Sequence, residues 1–310
     1  MKKIFIDGSA GTTGLRIYER LEKRDDIELL ILPEDKRKDI NSRKEMLNSC
    51  DIAFLCLPDD AARESVSLTD SANTIIIDTS TAHRTDDNWA YGFPELSENF
   101  EEKIKNSKRI ASPGCHASGF IALVYPLVEK GILREDALLT CHSITGYSGG
   151  GKKMIAEYES NERDMLLDSP RQYGIGQSHK HLKEMKAISG IDNPPVFSPI
   201  VAPFYSGMEV TVPLFASQLN KGCTKEDIEK AYKEKYTGPI VFYNENMAED
   251  GFISSNALSM KDSMEIAVYG NDDRIILVAR YDNLGKGASG AAIECMNIVM
   301  GTDKTKGLNI

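Results

Sequence analysis

From its first residues the chain passes from an apolar strand, Lys3-Ile4-Phe5-Ile6, through Gly8-Ser9-Ala10-Gly11-Thr12-Thr13-Gly14 into an amphipathic helix over residues 15–24. Glycines at every third position between a strand and a helix leave few folds open. Glycine lets the backbone approach a pyrophosphate, and a helix N-terminus offers unpaired N–H groups and positive potential. The spacing differs from G-x-G-x-x-G, and such a loop alone also serves as a tight strand-to-helix turn without a ligand. Its position at the head of a βαβ unit favours the nucleotide reading. A second strand is predicted over 27–32, a helix through Met46, a third strand over 52–57 that stops at Pro58, a helix over about 59–68, and a fourth strand over 74–78. Near-continuous apolar runs separated by helices predict a parallel sheet covered on both faces.

The end of the second strand discriminates between dinucleotides. NAD binders place an acid there for the ribose hydroxyls, and NADP binders place a cation near the extra phosphate. Pro33-Glu34-Asp35 runs into Lys36-Arg37-Lys38, so both signals are present. The cations Lys36 and Arg37 tip the reading to NADP, against the alternative of a solvated polar loop.

Composition bounds the rest. At 310 residues the chain suits about two domains of ~150 residues. Hydrophobic residues at 41% and charged residues at 27% are those of a folded globular protein and argue against disorder. A net charge of −10 repels phosphate backbones, which argues against a nucleic-acid partner. No apolar run approaches the ~20 residues that span a bilayer, and no signal-peptide core follows Met1. The six cysteines are scattered, with no C-x-x-C pair and no zinc-ligand spacing, so reduced thiols in the cytoplasm and no metal are expected.

Past Pro113-Gly114 the pattern changes. A long helix is predicted over 117–130, with Phe120, Leu123, Val124, Leu127 and Val128 on one face. Strands over 138–144 and 208–215 mix with helices over 181–189 and 225–235. Residues 264–269 and 274–281 read as a hairpin, and a small-residue helix over 288–300 closes the chain. Cys115 follows the Pro-Gly break and precedes a helix. The macrodipole and the unpaired N–H groups there favour a thiolate, and the same N–H groups suit an oxyanion. A buried structural cysteine is the bland alternative; the placement favours a nucleophile. His179 and His181 precede a helix and could move a proton near neutral pH, or could simply cap it. His116 is expected to point away from Cys115, and His83 and His142 to be structural. Two segments look built for anions: Asp78 to Arg84, which offers hydroxyls and the Arg84 guanidinium, and Ser148-Gly149-Gly150-Gly151-Lys152, a glycine-rich turn ending in a cation. The latter is not a Walker A loop, since Lys153 follows Lys152.

Together these motifs resemble the N-acetyl-γ-glutamyl-phosphate reductase family in its shorter subtype, from the first strand to the last helix. The marks are the glycine loop; Asp78, Ser80 and Arg84; Tyr91-Gly92-Phe93-Pro94-Glu95-Leu96; Pro113-Gly114-Cys115; Ser148 to Lys152; Gln177-Ser178-His179-Lys180-His181; and Asp282-Asn283-Leu284-Gly285-Lys286-Gly287-Ala288-Ser289-Gly290. Ser112 stands where asparagine is common, and Leu182-Lys183 where a proline usually follows the second histidine. The resemblance implies that Cys115 attacks an acyl phosphate, that a thioester forms, and that NADPH reduces it to the semialdehyde, with His181 or His179 as acid/base. It implies Arg84, Ser148, Gly149 and Lys152 as substrate contacts and Asn283 as a partner of the nicotinamide. The implied fold is α/β: a Rossmann-type doubly wound parallel sheet (1–114 with 285–310) plus an α+β catalytic and oligomerisation domain with a mixed sheet (115–284), assembled as a homodimer or homotetramer. The closest rival is aspartate-semialdehyde dehydrogenase, of the same fold. A rival of another class is a catalytically inactive nucleotide-sensing regulator, in which Cys115 would be unreactive.

Overall fold

The computed structural model describes residues 1–310. It divides into two compact units, residues 1–114 with 288–308 and residues 115–287 with 309–310.

In the first unit β1 (Lys2–Asp7), α1 (Thr12–Leu21), β2 (Ile27–Leu30), α2 (Ile40–Ser49), β3 (Ile52–Leu55), α3 (Asp59–Leu68) and β4 (Ile75–Asp78) alternate as the pattern predicts. Then come β5 (Ala90–Tyr91), α4 (Glu98–Asn106) and β6 (Arg109–Ala111), which the sequence reading did not mark. Two- and three-residue strands are too short to carry a period. The six strands are all parallel, in the order β2-β1-β3-β4-β6-β5. Successive side chains of a strand point to opposite faces. Ile4, Ile6, Ile52, Phe54, Ile77 and Ile110 enter one apolar cluster, while Phe5, Ala53, Leu55 and Ile76 enter another. Because both faces are covered, the strands read as unbroken apolar runs rather than alternating ones.

The second unit holds α5 (Cys115–Glu129), β7 (Thr140–Gly146), α6 (Gly151–Glu159), β8 (Arg171–Gln172), α7 (His181–Ser189), β9 (Val196–Ala202), β10 (Met208–Phe215), α8 (Lys225–Lys235), β11 (Val241–Tyr243), β12 (Met264–Gly270) and β13 (Arg274–Tyr281). Its seven strands form a mixed sheet, β11-β12-β13-β10-β7-β9-β8. The predicted hairpin is β12–β13, in antiparallel register from Met264↔Tyr281 to Gly270↔Ile275. Helix α5 starts at Cys115, two residues before the expected 117. It also runs through Pro126, which has no N–H for the carbonyl of Ala122. The hydroxyl of Tyr236 donates to that carbonyl instead, at 2.7 Å. Strand β9 escaped the sequence reading because Pro199 lies inside it, and its outer neighbour β8 pairs with it at only two positions.

The last helix, α9 (Gly290–Met300), belongs to the first unit, where Ala292, Ile293, Cys295 and Met296 complete the cluster around Ile4 and Phe54. The unit boundary falls after Gly287, not after 284, because the amides of Gly285 and Gly287 bond back to the Asp282 carbonyl at 3.2 and 3.0 Å. Residues 309–310 go with the second unit, since the side chain of Asp262 accepts from the amide of Asn309 at 2.8 Å. No helix is long and apolar enough to cross a membrane.

Candidate active site

The first unit carries a cleft of about 650 Å³ at the carboxyl end of β1, where the strand order reverses between β2 and β3. Gly8, Ser9, Ala10 and Gly11 line it. Gly8 has φ +89°, and a Cβ there would lie 2.3 Å from the Cys56 carbonyl oxygen; one on Gly14 would lie 2.4 Å from that of Gly8. Close backbone packing therefore requires both glycines. Helix α1 begins at Thr12 with Gly11 as its cap, so no side chain caps its first turn, and the buried Thr12 Oγ1 has no hydrogen-bond partner. An open helix N-terminus with an orphaned hydroxyl in a glycine cradle fits the pyrophosphate of a dinucleotide. Glu34, Asp35, Arg37 and Lys38 line the cleft, but Lys36 does not. The mixed acid and base signal thus persists in three dimensions, with the cations at 37 and 38 facing the cleft.

Sequence reasoning missed what lies beneath this cleft. Asp7, at the end of β1, is buried and accepts from Ser65 Oγ at 2.7 Å and from Arg43 Nε at 3.2 Å. Burial raises the Asp7 pKa, and the bonds from Ser65 and Arg43 partly oppose this. An acid directly before the first glycine was the available signal. The segment after β4 is tied together by its own hydrogen bonds. Asp78 accepts from Ser80 Oγ and pairs with His83 Nδ1, both at 2.7 Å, and His83 stacks on Trp89. Arg84, expected at substrate, gives Nε to the Ser112 carbonyl and Nη2 to the Thr79 carbonyl, each at 2.9 Å.

In the second unit Cys115 opens α5 and is partly exposed. His116, expected to point elsewhere than Cys115 if the helix starts at once, meets both other candidate histidines. Its ring centroid lies 5.8 Å from that of His179 and 5.6 Å from that of His181, which are themselves 4.7 Å apart. His116 Nδ1 bonds Ser143 Oγ and Nε2 bonds the Tyr173 hydroxyl, each at 2.6 Å. Burial first, and the charge of Cys115 second, raise the pKa of the Tyr173 phenol and keep it neutral. His179 Nδ1 accepts from the backbone N–H of His181 at 3.2 Å, which puts the proton of a neutral ring on Nε2. Despite the three imidazoles, no group of three His, Cys, Asp or Glu side chains is arranged to hold a metal ion. His142 is exposed on β7.

The second anion candidate divides. Ser148 is buried and accepts from Asn283 Nδ2 at 3.0 Å, while Asn283 Oδ1 accepts from the Gly207 amide at 2.9 Å. One Asn283 Nδ2 hydrogen remains after these bonds. Gly149 and Lys152 are exposed, Lys152 in the first turn of α6, which no side chain caps.

His116 has a measurable consequence. Burial, and next the neighbouring His179, lower its pKa from 6.5 to about 3. The unfolded chain takes up a proton there below about pH 6.5 that the folded one excludes. Stability therefore falls as pH drops from 6.5 toward 3, by up to about 1.4 kcal/mol per pH unit. Urea unfolding of the parent and of His116→Asn at pH 7 and pH 5 checks this. The parent should lose roughly 2 kcal/mol more than the variant over that interval; equal losses would mean that His116 is not held neutral.

A dinucleotide cleft in one unit and a thiol at a helix start in the other are the features of a semialdehyde dehydrogenase, and comparisons with known proteins show that class. Residues 3–107 match the family model for the semialdehyde dehydrogenase NAD binding domain, and residues 115–283 match the one for the semialdehyde dehydrogenase dimerisation domain. Aspartate semialdehyde dehydrogenase II from Vibrio cholerae superimposes with a TM-score of 0.71 over 97% of this chain and 98% of that one, at 16% identity. The enzyme from Francisella tularensis gives 0.73 over 97% and 100%, at 15% identity. At such identities these likenesses speak for the fold. Sequence carries the rest: N-acetyl-gamma-glutamyl-phosphate reductase 2 of Nostoc sp. is 45% identical over 99% of both chains, and the reductase of Sinorhizobium medicae is 44% identical over 96% of this chain and 98% of its own. The chain belongs to the N-acetyl-gamma-glutamyl-phosphate reductase family.

Proposed function

We propose that this chain reduces N-acetyl-L-glutamyl 5-phosphate to N-acetyl-L-glutamate 5-semialdehyde and phosphate, with NADPH, in arginine biosynthesis. The observation that carries the chemistry is Cys115 as the first residue of α5, followed directly by His116, whose ring meets those of His179 and His181. The Cys115 sulfur attacks the acyl carbon, the C–O bond to phosphate breaks, and a thioester forms. This divides a difficult reduction into two easier steps. The N–H groups at the start of α5 face the negative charge that develops on the carbonyl oxygen. When bound, NADPH supplies the hydride that reduces the thioester carbonyl. His181 gives the proton to the resulting oxyanion and takes it back as the C–S bond breaks, which frees the aldehyde and the thiolate. His179, tied to the backbone of His181, is the second candidate for that proton.

Residues 8–14 hold the pyrophosphate, and Arg37, with Lys36 and Lys38 on the same turn, takes the phosphate that distinguishes NADP from NAD. Asn283 offers its remaining Nδ2 hydrogen to the nicotinamide carboxamide. Lys152, Gly149 and Ser148 receive the substrate anion, and Arg84 supports it only through the backbone carbonyls it holds. The chain works as a homodimer or homotetramer, for which the name of the dimerisation-domain model and the exposed Val196, Phe215 and Ile276 on the mixed-sheet unit speak. Six cysteines with no disulfide among them suit the cytoplasm.

The test runs the reaction in reverse, with N-acetylglutamate semialdehyde, phosphate and either NADP⁺ or NAD⁺. NADP⁺ should be the better oxidant, and Arg37→Ala should raise its KM about tenfold, a loss of roughly 1.4 kcal/mol, while leaving NAD⁺ unaffected. Turnover of aspartate semialdehyde alone would transfer the reading to the aspartate enzyme.

A further inference from the structure

Tyr281 ends β13 in the middle of the mixed sheet, opposite Met208 on one side and Met264 on the other, and it is fully buried. Its hydroxyl reaches the first turn of α5. There it accepts from the amide of Gly119 at 3.0 Å and donates to the carbonyl of Cys115. Cys115 and Gly119 are the i and i+4 partners that open the helix, so one phenol bridges both ends of the turn that carries the thiol. The space for it is made by glycine: a Cβ on Gly119 would lie 2.8 Å from the Tyr281 oxygen and 2.7 Å from Val210 Cγ2. The chain leaving Tyr281 then turns back on the same residue. A Cβ on Gly287 would lie 3.1 Å from the Cys115 Cβ, so the backbone of 287 rests against the root of the thiol. Burial first, and the charge of Cys115 second, hold the phenol's pKa well above its ordinary value, so the O–H remains a donor at any working pH.

We propose that Tyr281 is a positioning residue for the Cys115 nucleophile: its hydroxyl locks the backbone of the first turn of α5, and through it the direction of the sulfur. This rests on Cys115 being the nucleophile, as proposed above. The sulfur hangs on a single rotor from the Cα, so a small backbone shift moves it by a comparable amount, and a misplacement near 1 Å can cost on the order of 10²-fold in rate. The thiol itself needs no help to react with a small reagent that approaches from any direction.

The experiment compares the parent with Tyr281→Phe, a change that removes the bridging hydroxyl and little else. Three readouts are taken: kcat and KM for the acyl phosphate, the rate of Cys115 alkylation by iodoacetamide from pH 6 to 9, and the thermal midpoint. The expected result is a kcat lower by about 10- to 100-fold, a KM within about twofold, and an alkylation profile superimposable on the parent's. Gly287→Ala, whose Cβ would press on the Cβ of Cys115, should reproduce the split. A kcat within twofold of the parent overturns the proposal. So does a fall in kcat matched by an equal change in alkylation rate, since that would mark general loosening and not lost aim. Failure of the nucleophile reading shows separately, as parent enzyme that stays active after Cys115 is alkylated; that result removes both.

Discussion

Cys115→Ser should lower kcat/KM by about 10³-fold or more while dinucleotide affinity stays that of the parent. A serine hydroxyl at the start of α5 is not ionised at neutral pH and forms no thioester. The cofactor cleft of the first unit, by contrast, contains no atom of residue 115. Two measurements check the pair: steady-state turnover, and dinucleotide titration followed by nucleotide fluorescence. Selective alkylation gives an independent view. Burial pushes Cys50 and Cys56 up to about 12, and it raises Cys141 further still. Cys295 is buried with its Sγ against the Gly92 carbonyl. Cys115 and Cys223 are the remaining thiols, both partly exposed. Loss of activity in step with mass added at Cys115, and not at Cys223, is the expected outcome. Appreciable turnover by the serine variant would argue against any covalent route.

Gly8→Ala should have the second largest effect. The residue sits at φ +89°, where a Cβ costs about 1–2 kcal/mol by itself. That Cβ would also lie 2.3 Å from the carbonyl oxygen of Cys56, a backbone atom next to a central strand that cannot swing aside. A total cost of about 3 kcal/mol or more follows, which for a chain of this size lowers the thermal midpoint by on the order of 5 °C. Shifting the loop also misplaces the amides at the start of α1, so dinucleotide binding should fall by at least about tenfold. Gly11→Ala is the control: its Cβ would meet only the Gly8 carbonyl oxygen at 3.4 Å and the Cys56 oxygen at 3.8 Å, and φ is not positive. If Gly8→Ala binds dinucleotide as well as Gly11→Ala does, the loop is only a turn.

The parts of the fold legible in the sequence are those with a local period. Strands β1, β3 and β4 are buried on both faces and read as unbroken apolar runs, and α1 and α3 repeat every three to four residues. Strands β5, β6 and β8, at two or three residues each, leave no such trace, and Pro199 disguises β9. Among site residues, the glycine loop and Cys115 stood out because their chemistry depends on an immediate neighbour: a helix N-terminus beside a Gly or Pro-Gly break. Arg84 could not be judged that way. An arginine after a strand does not reveal in sequence that its guanidinium meets the carbonyls of Thr79 and Ser112. Lys36 and Arg37 are adjacent in sequence, yet only Arg37 lines the cleft, a matter of which way one short turn faces.

What the chain's order of residues determined alone is the two-part α/β plan, the glycine-rich turn from β1 into α1 and the thiol at a helix start, because each follows from contacts within a few positions. What only the folded structure decided is the company that thiol keeps. His116 meets Ser143 and Tyr173 across 27 and 57 positions, and Tyr281 reaches Cys115 across 166. A hydrogen bond between residues so far apart leaves no period, spacing or composition in the sequence; it exists only once the mixed sheet has set β13 against the first turn of α5.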